Sequence, residues 1–481
     1  MNAPESPQKS IMLGDFVHSR TKNKLEFMYN SGIAVNNENG KIVDIENSST
    51  SMDIAKQKLL QRLHWSEDEV EIYKCEPGQF FFPGFIDTHV HASQYPIVGL
   101  FDERSLISWL NGRVFPTEWR YEDAEVARQV YRACVKRTLS HGTTTAAYYT
   151  TIHVPATKAL ADICLELRQR AFIGRMCMDN NNFCPPYLCD KSSQELINKT
   201  TEVIEYINSK DPDHEIISPA LAPRFALACT PSAMSELSGM YKAQHLLVPT
   251  HLAENRAEVK LVAETFPEAG SYTKVYDNYG LLTPRTVLGH SVHITEGEAS
   301  LIKKRQSKVA HCPCSNSALA SGMAQVRWMW DRGIDVGLGT DMSGGYSPSM
   351  LEAARQAVLV SRQLAAQLSD EAERQKVNLS VPQVLYLATR GGAKVVGLDE
   401  KIGGFERDKD WDAQLIGLNV VASSGKTEHE NAVEQGDTGN VDLFPWDMSK
   451  WDDMIAKWVY NGDDRNAKKV WVKGQLVHSR L

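Results

Sequence analysis

Short apolar segments alternate with helical patterns through the middle of this 481-residue chain. A continuous apolar run between helices indicates a parallel strand that is covered on both faces, as in βαβ units. Roughly eight such units over about 260 residues predict an α/β fold, a TIM-like (β/α)8 barrel. The apolar runs are 81–88, 143–149, 171–178, 216–222, 246–250, 286–289, 308–311 and 335–340. Segments 123–139 and 351–368 have the apolar spacing of helices.

Both ends of the chain contain short β-like segments instead. These segments are 25–30, 33–35, 41–45 and 470–477. The dipeptides Asn39-Gly40 and Lys473-Gly474 predict hairpin turns within them. Strands at both ends of a barrel pattern indicate that the two termini meet in one small β-domain.

We therefore expect two domains. Residues 81–404 are predicted to form the barrel, and residues 1–80 and 405–481 a composite β-sandwich domain. The polar stretch 421–440 is predicted to be a surface loop.

Charge and composition exclude several classes of protein. Lys and Arg number 52 against 60 Asp and Glu, a net charge of −8, which argues against a nucleic-acid-binding protein. No run approaches the roughly 18 apolar residues of a membrane-spanning helix, and the first ten residues lack the apolar core of a signal peptide. Nine cysteines without a short-domain framework favour reduced thiols in a cytoplasmic protein.

Histidines and an aspartate stand at the ends of the predicted strands, where barrel enzymes build their active sites. His89 and His91 follow the first strand, His251 the fifth, His290 the sixth and Asp341 the eighth. Residues two apart in an extended segment point to the same side. One histidine after a strand is usually structural, but four imidazoles and a carboxylate at these ends predict a site for Zn²⁺ or another divalent transition metal.

The segments PGFIDTHVH (83–91) and GTD (339–341), with His251 and His290, resemble the amidohydrolase superfamily of metal-dependent hydrolases. Within it, further segments from about residue 80 to the C-terminus are similar to the guanine deaminase family. They are HASQYP (91–96), APRF (222–225), HLAEN (251–255), GHSVH (289–293), HCPCSN (311–316), GLGTDMSGG (337–345) and VYNGDDRNAKKVWVKGQLV (459–477).

The resemblance implies one Zn²⁺ per subunit, bound by His89, His91, His251 and Asp341, with Fe²⁺ as the alternative metal. The fourth strand ends in APRF (222–225) without the lysine that bridges two metals in related enzymes, and an arginine cannot replace that lysine because it stays protonated. The resemblance also implies a homodimer that acts on guanine and water in purine catabolism.

The resemblance gives catalytic roles to three residues. Asp341 would accept a proton from the attacking water, whose pKa a metal lowers, and His290 would orient that water. Glu254, three residues after His251, would move a proton to N3 of the base before the 2-amino group leaves as ammonia. The alternative for Glu254 is a charge that complements a helix N-terminus.

Arg224 and Gln94 are the expected readers of the base. A guanidinium matches the O6 and N7 acceptors of guanine, and a glutamine amide can donate to O6 and accept from N1–H. The alternative for Arg224 is a salt bridge to a neighbouring loop. Phe225 either lies over the purine or braces the loop.

Other functions remain open from sequence. A related mononuclear enzyme could deaminate an adenosine derivative, cytosine or a triazine, and an inactive barrel could serve as a scaffold. Cys312 and Cys314 have no second cysteine pair and are expected to be wall or core thiols. His293 and His311 are candidates for the rim of the cleft.

Overall fold

Five strands and one helix form the first part of the chain in the computed structural model, which describes residues 8–101, 106–421 and 440–480. They are β1 (Lys9–Thr21), β2 (Lys24–Asn36), β3 (Lys41–Glu46), α1 (Met52–Leu63), β4 (Val70–Lys74) and β5 (Gln79–Pro83). The predicted segments 25–30 and 33–35 both lie within β2. Strand β1 lies outside the predicted segments, because the buried polar residues Ser10, His18 and Ser19 interrupt its apolar pattern.

Eight parallel strands follow, each separated from the next by at least one helix. They are β6 (Phe85–His91), β7 (Thr143–Tyr149), β8 (Arg170–Cys177), β9 (Ile217–Pro223), β10 (Val248–Leu252), β11 (Thr286–His290), β12 (Lys308–His311) and β13 (Val336–Leu338). Every residue of β6, β7 and β8 is buried, as expected for strands between a filled barrel interior and a ring of helices.

Backbone contacts close these strands into a barrel. β6 to β9 form one parallel sheet and β10 to β13 another, and a parallel bridge between Ala220 and Leu247 joins them. On the other side, the Asp341 N–H donates to the His89 carbonyl at 2.8 Å and the His91 N–H donates to the Met342 carbonyl at 3.0 Å. The predicted (β/α)8 barrel is confirmed.

Helices of varied length lie between and after the strands. They are α2 (Leu106–Trp109), α3 (Phe115–Trp119), α4 (Ala124–Ser140), α5 (Val154–Glu166), α6 (Ser193–Lys210), α7 (Pro231–Gln244), α8 (Arg256–Thr265), α9 (Tyr272–Asn278), α10 (Glu296–Arg305), α11 (Pro313–Ala318), α12 (Val326–Asp331), α13 (Met350–Ala366), α14 (Glu371–Val377), α15 (Val381–Tyr386) and α16 (Gly392–Val396). The predicted helices 123–139 and 351–368 match α4 and α13. Within the described ranges, no helix has both the length and the apolar character needed to span a bilayer.

The C-terminal part returns to the sheet that the N-terminal strands begin. Its elements are β14 (Ala413–Gly417), β15 (Asn419–Val420), β16 (Asp442–Leu443), α17 (Trp451–Asn461), β17 (Ala467–Val472) and β18 (Gln475–Ser479). The sheet has the order β18-β17-β14-β5-β1-β2-β3, with β4 beside β1. The two chain ends therefore share one sheet, as the hairpin signals predict. The predicted loop 421–440 lies almost wholly outside the described residues.

The predicted strand 81–88 is wrong as one element, because it spans two strands in different sheets. β5 belongs to the sheet of the chain ends and β6 to the barrel, with Gly84 between them. A Cβ on Gly84 would lie 2.2 Å from Thr144 Oγ1, so the chain can cross here only with glycine. The apolar run is continuous because both strands are buried.

A buried ion cluster ties the barrel to the sheet of the chain ends. Arg170, at the start of β8, donates to Asp410 at 2.9 Å and to Asp412 at 3.2 and 3.3 Å. Its Nη1 also donates to the Glu215 carbonyl at 2.6 Å. All three charged side chains are almost fully buried, so each charge depends on its partners for the interactions that water would otherwise provide.

Replacing Arg170 by methionine should lower the free energy of unfolding by about 3–5 kcal/mol, because two buried carboxylates lose their shared cation. The urea midpoint measures the change. Arg132→Met is the matched control, since Arg132 pairs with Glu166 on the exposed surface and should shift the midpoint little. Equal shifts in the two variants would contradict the role given to the buried cluster.

His18 of β1 is a buried histidine held in its neutral form. Its Nδ1 accepts from the Phe405 N–H at 3.1 Å and from Arg390 Nη2 at 3.3 Å, so this nitrogen carries no proton. Burial lowers the pKa of His18 to about 4, although the Glu406 carboxylate acts in the opposite direction. A proton taken up at His18 would therefore oppose the folded state.

Lowering the pH from about 7.5 to about 5 should reduce stability through His18 by about 2 kcal/mol, because the unfolded side chain binds a proton that the folded one does not. The contribution is complete above a pH of about 6.5 and is lost as the pH falls towards about 4. Urea midpoints of the wild type and His18→Gln at both pH values isolate this group, since the amide oxygen can still accept from Phe405. Identical pH dependence in both proteins would rule out the effect.

Candidate functional site

The carboxyl ends of the barrel strands bring together the histidines and the aspartate predicted from sequence. His89 and His91 stand on β6, His251 on β10 and His290 at the end of β11, and Asp341 follows β13. One ligand atom each from His89, His91, His251 and Asp341 lies within 4.8 Å of the others. Strand pairing across the barrel thus assembles residues that are up to 252 positions apart in the printed sequence.

The Asp341 carboxylate lies at the centre of this group. Its Oδ1 is 3.3 Å from His89 Nε2 and 3.4 Å from His91 Nε2, and its Oδ2 is 3.8 Å from His290 Nε2. His91 Nε2 and His251 Nε2 are 3.2 Å apart. Nitrogen and oxygen atoms at these separations suit a shared divalent cation.

Hydrogen bonds on the outer side of two rings turn the inner nitrogens towards the centre. His251 Nδ1 donates to the Arg224 carbonyl at 2.5 Å, and His290 Nδ1 pairs with Asn316 Oδ1 at 2.9 Å. Such outer partners fix the tautomer of a metal-binding histidine. Both ring nitrogens of His89 are buried and, among the described residues, have no hydrogen-bond partner. The residues therefore fit a bound metal.

The protonation states of the cluster agree with this fit. Burial lowers the pKa of His91 and of His251 well below the ordinary value, which keeps both imidazoles neutral. Burial alone would raise the pKa of Asp341, but the neighbouring His89 ring, whose Nε2 is 3.3 Å from Oδ1, and the charge of His290 lower it below the usual range. Neutral imidazoles and an ionised carboxylate are the forms that bind a metal.

The backbone is strained where the site is built. Ala253, His290, Ser291 and Asp341 have φ angles of 48°, 66°, 51° and 46°, in the left-handed region that side chains disfavour. Strain of this kind persists only where the surrounding structure holds it, and it clusters at functional sites. Gly344 lies close to one of the strained residues. A Cβ at this position would be 2.7 Å from Asp341 Oδ2, so a larger residue would collide with the carboxylate.

Glu254 lies beside the cluster, ahead of a helix. Its Oε2 is 3.4 Å from His290 Nε2, and its Oε1 accepts from Ser321 Oγ at 3.4 Å. Burial raises the pKa of Glu254 to about 7. Helix α8 is capped by Asn255 and by Glu258, its third residue. The acidic side chain that complements the N-terminus of this helix is therefore Glu258 and not Glu254. Glu254 itself faces His290.

A cavity opens beside the cluster. Its lining includes both groups of predicted site residues, namely His91, His251, Glu254 and Asp341 with Gln94, Arg224 and Phe225. Phe225 also packs into the main apolar core, so it serves the wall as well as the cavity. We call His89, His91, His251 and Asp341 the metal-type cluster. The predicted base-reading residues thus share one cavity with members of this cluster.

Arg224 forms a salt bridge, the alternative role considered for it above. It nevertheless lines the cavity, so the salt bridge does not remove it from the site. It donates to Glu118 Oε2 at 2.6 Å and to Glu118 Oε1 at 3.1 Å, and Gln94 Nε2 donates to Oε1 at 3.0 Å. Glu118 was not predicted, because it stands in α3, 106 residues before Arg224, without a spacing signal. The one available sign is an acidic residue between the apolar Phe115 and Trp119.

Two more residues at the site are outside the set of site residues predicted from sequence. The Tyr149 ring stacks on His91, with centroids 4.6 Å apart and planes at 15°. Asp87, two residues before His89 on β6, accepts from Thr340 N at 3.0 Å and from Thr340 Oγ1 at 2.5 Å. Both contacts brace the strand ends that hold the cluster.

The remaining candidates from sequence lie near the site. Cys312 and Cys314 are buried, and burial raises the pKa of both thiols, which keeps them protonated. Cys312 lies close to His89 and His290. His293 Nε2 bonds to the Ser321 carbonyl at 2.7 Å, and His311 is buried at the end of β12.

Metal content tests the cluster directly. We expect the purified protein to hold one divalent ion per chain, and His91→Ala to lose most of it, because His91 Nε2 is one of the four converging atoms. His293→Ala is the matched control, since its ring bonds to a carbonyl outside the cluster. Inductively coupled plasma mass spectrometry measures both. Full metal content in His91→Ala would exclude that residue as a ligand.

Comparison with known proteins agrees with this geometry. The amidohydrolase family model matches residues 80–477. A probable guanine deaminase of Schizosaccharomyces pombe is 42% identical over 467 residues, which are 97% of this chain and 83% of that protein. Guanine deaminase of Rattus norvegicus is 38% identical over 469 residues, 97% of this chain and 96% of the relative. The crystal structure of guanine deaminase from C. acetobutylicum with bound guanine in the active site matches with a TM-score of 0.82 and 29% identity, covering 98% of this chain and 100% of that one. The chain therefore belongs to the amidohydrolase family, within its guanine deaminase branch.

Proposed function

We propose that this protein catalyses the hydrolytic deamination of guanine to xanthine and ammonia. The observation that carries the proposal is one cavity lined by three kinds of group. They are three members of the metal-type cluster, the carboxyl of Glu254, and the pair Arg224 and Gln94. Hydrolysis needs the first two, and recognition of a purine needs the third. The relatives in the guanine deaminase branch support the same reaction.

His89, His91, His251 and Asp341 would hold the metal, which we propose to be one Zn²⁺ per subunit. Three imidazoles and a carboxylate suit zinc. When bound, zinc lowers the pKa of a water molecule to near 7 and so supplies a nucleophile at neutral pH. Tyr149 and the Arg224 carbonyl hold two of the rings in place.

Asp341 and His290 would handle the attacking water. Asp341 Oδ2 and His290 Nε2 are 3.8 Å apart, so one water molecule can contact both atoms. Asp341, ionised in the folded protein, accepts one proton from this water while His290 orients it. The water oxygen then bonds to C2 of guanine.

Glu254 would exchange the proton that makes this attack possible. A carboxyl with a pKa of about 7 can give and take a proton at neutral pH. Protonated Glu254 donates to N3 of the base, which makes C2 more electrophilic. The amino group takes up the proton that Asp341 removed from the water, and it leaves as ammonia as the C2–N2 bond breaks. The remaining hydroxyl proton at C2 passes to Glu254, which forms the C2=O group of xanthine and restores the protonated carboxyl.

Arg224, Gln94 and Phe225 would bind the base. Guanine presents acceptors at O6 and N7 and a donor at N1. Arg224 can donate to the first two, and the Gln94 amide can accept from N1–H. The Phe225 ring supplies apolar surface in the wall of the cavity.

The wider setting follows the same proposal. All nine cysteines are free in the structure, which supports a reducing compartment such as the cytoplasm. The resemblance to guanine deaminases supports a homodimer and a place in purine catabolism. The shared sheet supports a division into a barrel of residues 81–404 and a domain of residues 1–80 and 405–481.

Replacing Glu254 by glutamine should retain the metal and lower kcat for guanine at least about 100-fold, because the amide cannot transfer the proton. Xanthine formation by absorbance and ammonia release measure the rate, and metal analysis on the same sample checks the site. Glu264→Gln, on the exposed face of α8, is the matched control.

Full activity in Glu254→Gln would remove Glu254 from proton transfer. A metal-containing wild type that deaminates adenosine, cytosine or a triazine in place of guanine would assign the related enzyme class.

A further inference from the structure

Glu118 is a buried carboxylate that holds both base-reading residues at once. It stands in α3 and is 0% exposed. Its Oε2 accepts from Arg224 Nη1 at 2.6 Å, and its Oε1 accepts from Arg224 Nη2 at 3.1 Å and from Gln94 Nε2 at 3.0 Å. One side chain outside the catalytic cluster therefore contacts the two residues that would recognise the base.

These bonds fix the orientation of the Gln94 amide. A carboxylate only accepts hydrogen bonds, so the amide nitrogen of Gln94 must face Glu118. A flipped amide would set its oxygen against the carboxylate oxygen at about the same distance. Gln94 is thus left with its carbonyl oxygen and one N–H for a ligand in the cavity that it lines.

The same carboxylate fixes Arg224. Two parallel N–H···O bonds to one carboxylate define the plane of a guanidinium, and the Arg224 guanidinium also lies over the Phe115 ring at 5.0 Å. The negative charge of Glu118 compensates the buried positive charge, so a neutral base can bind without an unpaired ion beside it. Nη1 also donates to Met178 Sδ at 3.6 Å, so the N–H of Nε and the second N–H of Nη2 remain for acceptors on the base.

We propose that Glu118 is a positioning residue that makes the site specific for 6-oxopurines, an inference that rests on the proposed function. By fixing Gln94, it presents an acceptor where guanine has its N1–H donor. The purine 2,6-diaminopurine keeps the 2-amino group but has a lone pair at N1 and an amino donor at C6. Its N1 lone pair would face the carbonyl oxygen of Gln94, and its C6 amino group would face the N–H donors of Arg224. Neither pair can form a hydrogen bond, so buried polar groups are left unpaired.

Glu118→Gln removes this control while keeping the size of the side chain. The new amide brings an N–H₂ group against the donors of Arg224 and Gln94. The Arg224 side chain has no acceptor for this N–H₂ group, whereas Gln94 can turn its carbonyl oxygen towards the group and accept a hydrogen bond from it. The turned Gln94 then offers N–H groups to the base and accommodates the N1 lone pair of 2,6-diaminopurine.

The test is the ratio of kcat/KM for guanine to kcat/KM for 2,6-diaminopurine, whose hydrolysis at C2 gives 6-amino-2-oxopurine and ammonia. We expect this ratio to fall at least about tenfold in Glu118→Gln. Where turnover of 2,6-diaminopurine is too slow, its inhibition constant against guanine replaces it. Glu122→Gln is the matched control, because Glu122 is exposed four residues later and should keep the wild-type ratio.

A second variant covers the case in which Glu118→Gln does not fold. Gln94→Met removes the amide that Glu118 orients, and it should lower the same ratio by a similar factor. Metal content and the melting temperature confirm that each variant is folded.

The outcomes separate the inference from the proposed function. A wild type without guanine turnover would overturn the proposed function. An active wild type whose ratio is unchanged in folded Glu118→Gln, or in Gln94→Met, would overturn the inference. A parallel loss for both substrates would likewise reduce Glu118 to a purely structural role.

Discussion

The backbone and side chain of Asp341 hold the barrel and its site together. Its N–H donates to the His89 carbonyl across the last seam of the barrel, and its carboxylate lies between His89, His91 and His290. Because one residue makes both contacts, the closure of the barrel also fixes where the carboxylate of the cluster lies. Asp341 makes both contacts with a left-handed φ of 46°.

Around this centre, buried charges are arranged in compensating sets. Glu254 faces His290, Glu118 faces Arg224, and Arg170 faces Asp410 and Asp412 away from the site. Each set is costly to bury and is retained only where the partners are well placed. The two sets in the cavity wall leave hydrogen-bonding groups for a ligand, whereas the third lies between the barrel and the sheet of the chain ends. The cavity wall is thus polar where these charged side chains lie and apolar where leucine, isoleucine and tryptophan side chains line it.

The barrel strands and the metal-type residues could be predicted from sequence because both depend on local pattern. Apolar runs mark covered strands, and His89, His91, His251, His290 and Asp341 follow their ends. Glu118 could not be predicted, because its contact with Arg224 joins elements 106 residues apart. The boundary between β5 and β6 could not be found either, since two buried strands separated by Gly84 look like one apolar run.

In the shared sheet, a strand that is made early pairs mainly with a strand that is made late. Strand β5 pairs with β1 at one position, Phe16 with Phe81, but with β14 at five. During translation, β5 therefore leaves the ribosome with one edge unpaired, while more than 300 residues are still to be made. The nascent barrel must form beside an open, aromatic strand edge of the kind that invites wrong pairing. Pairing with β14 is then the step that ends this exposure, so loss of β14 should harm β5, made early, as much as the strands made late.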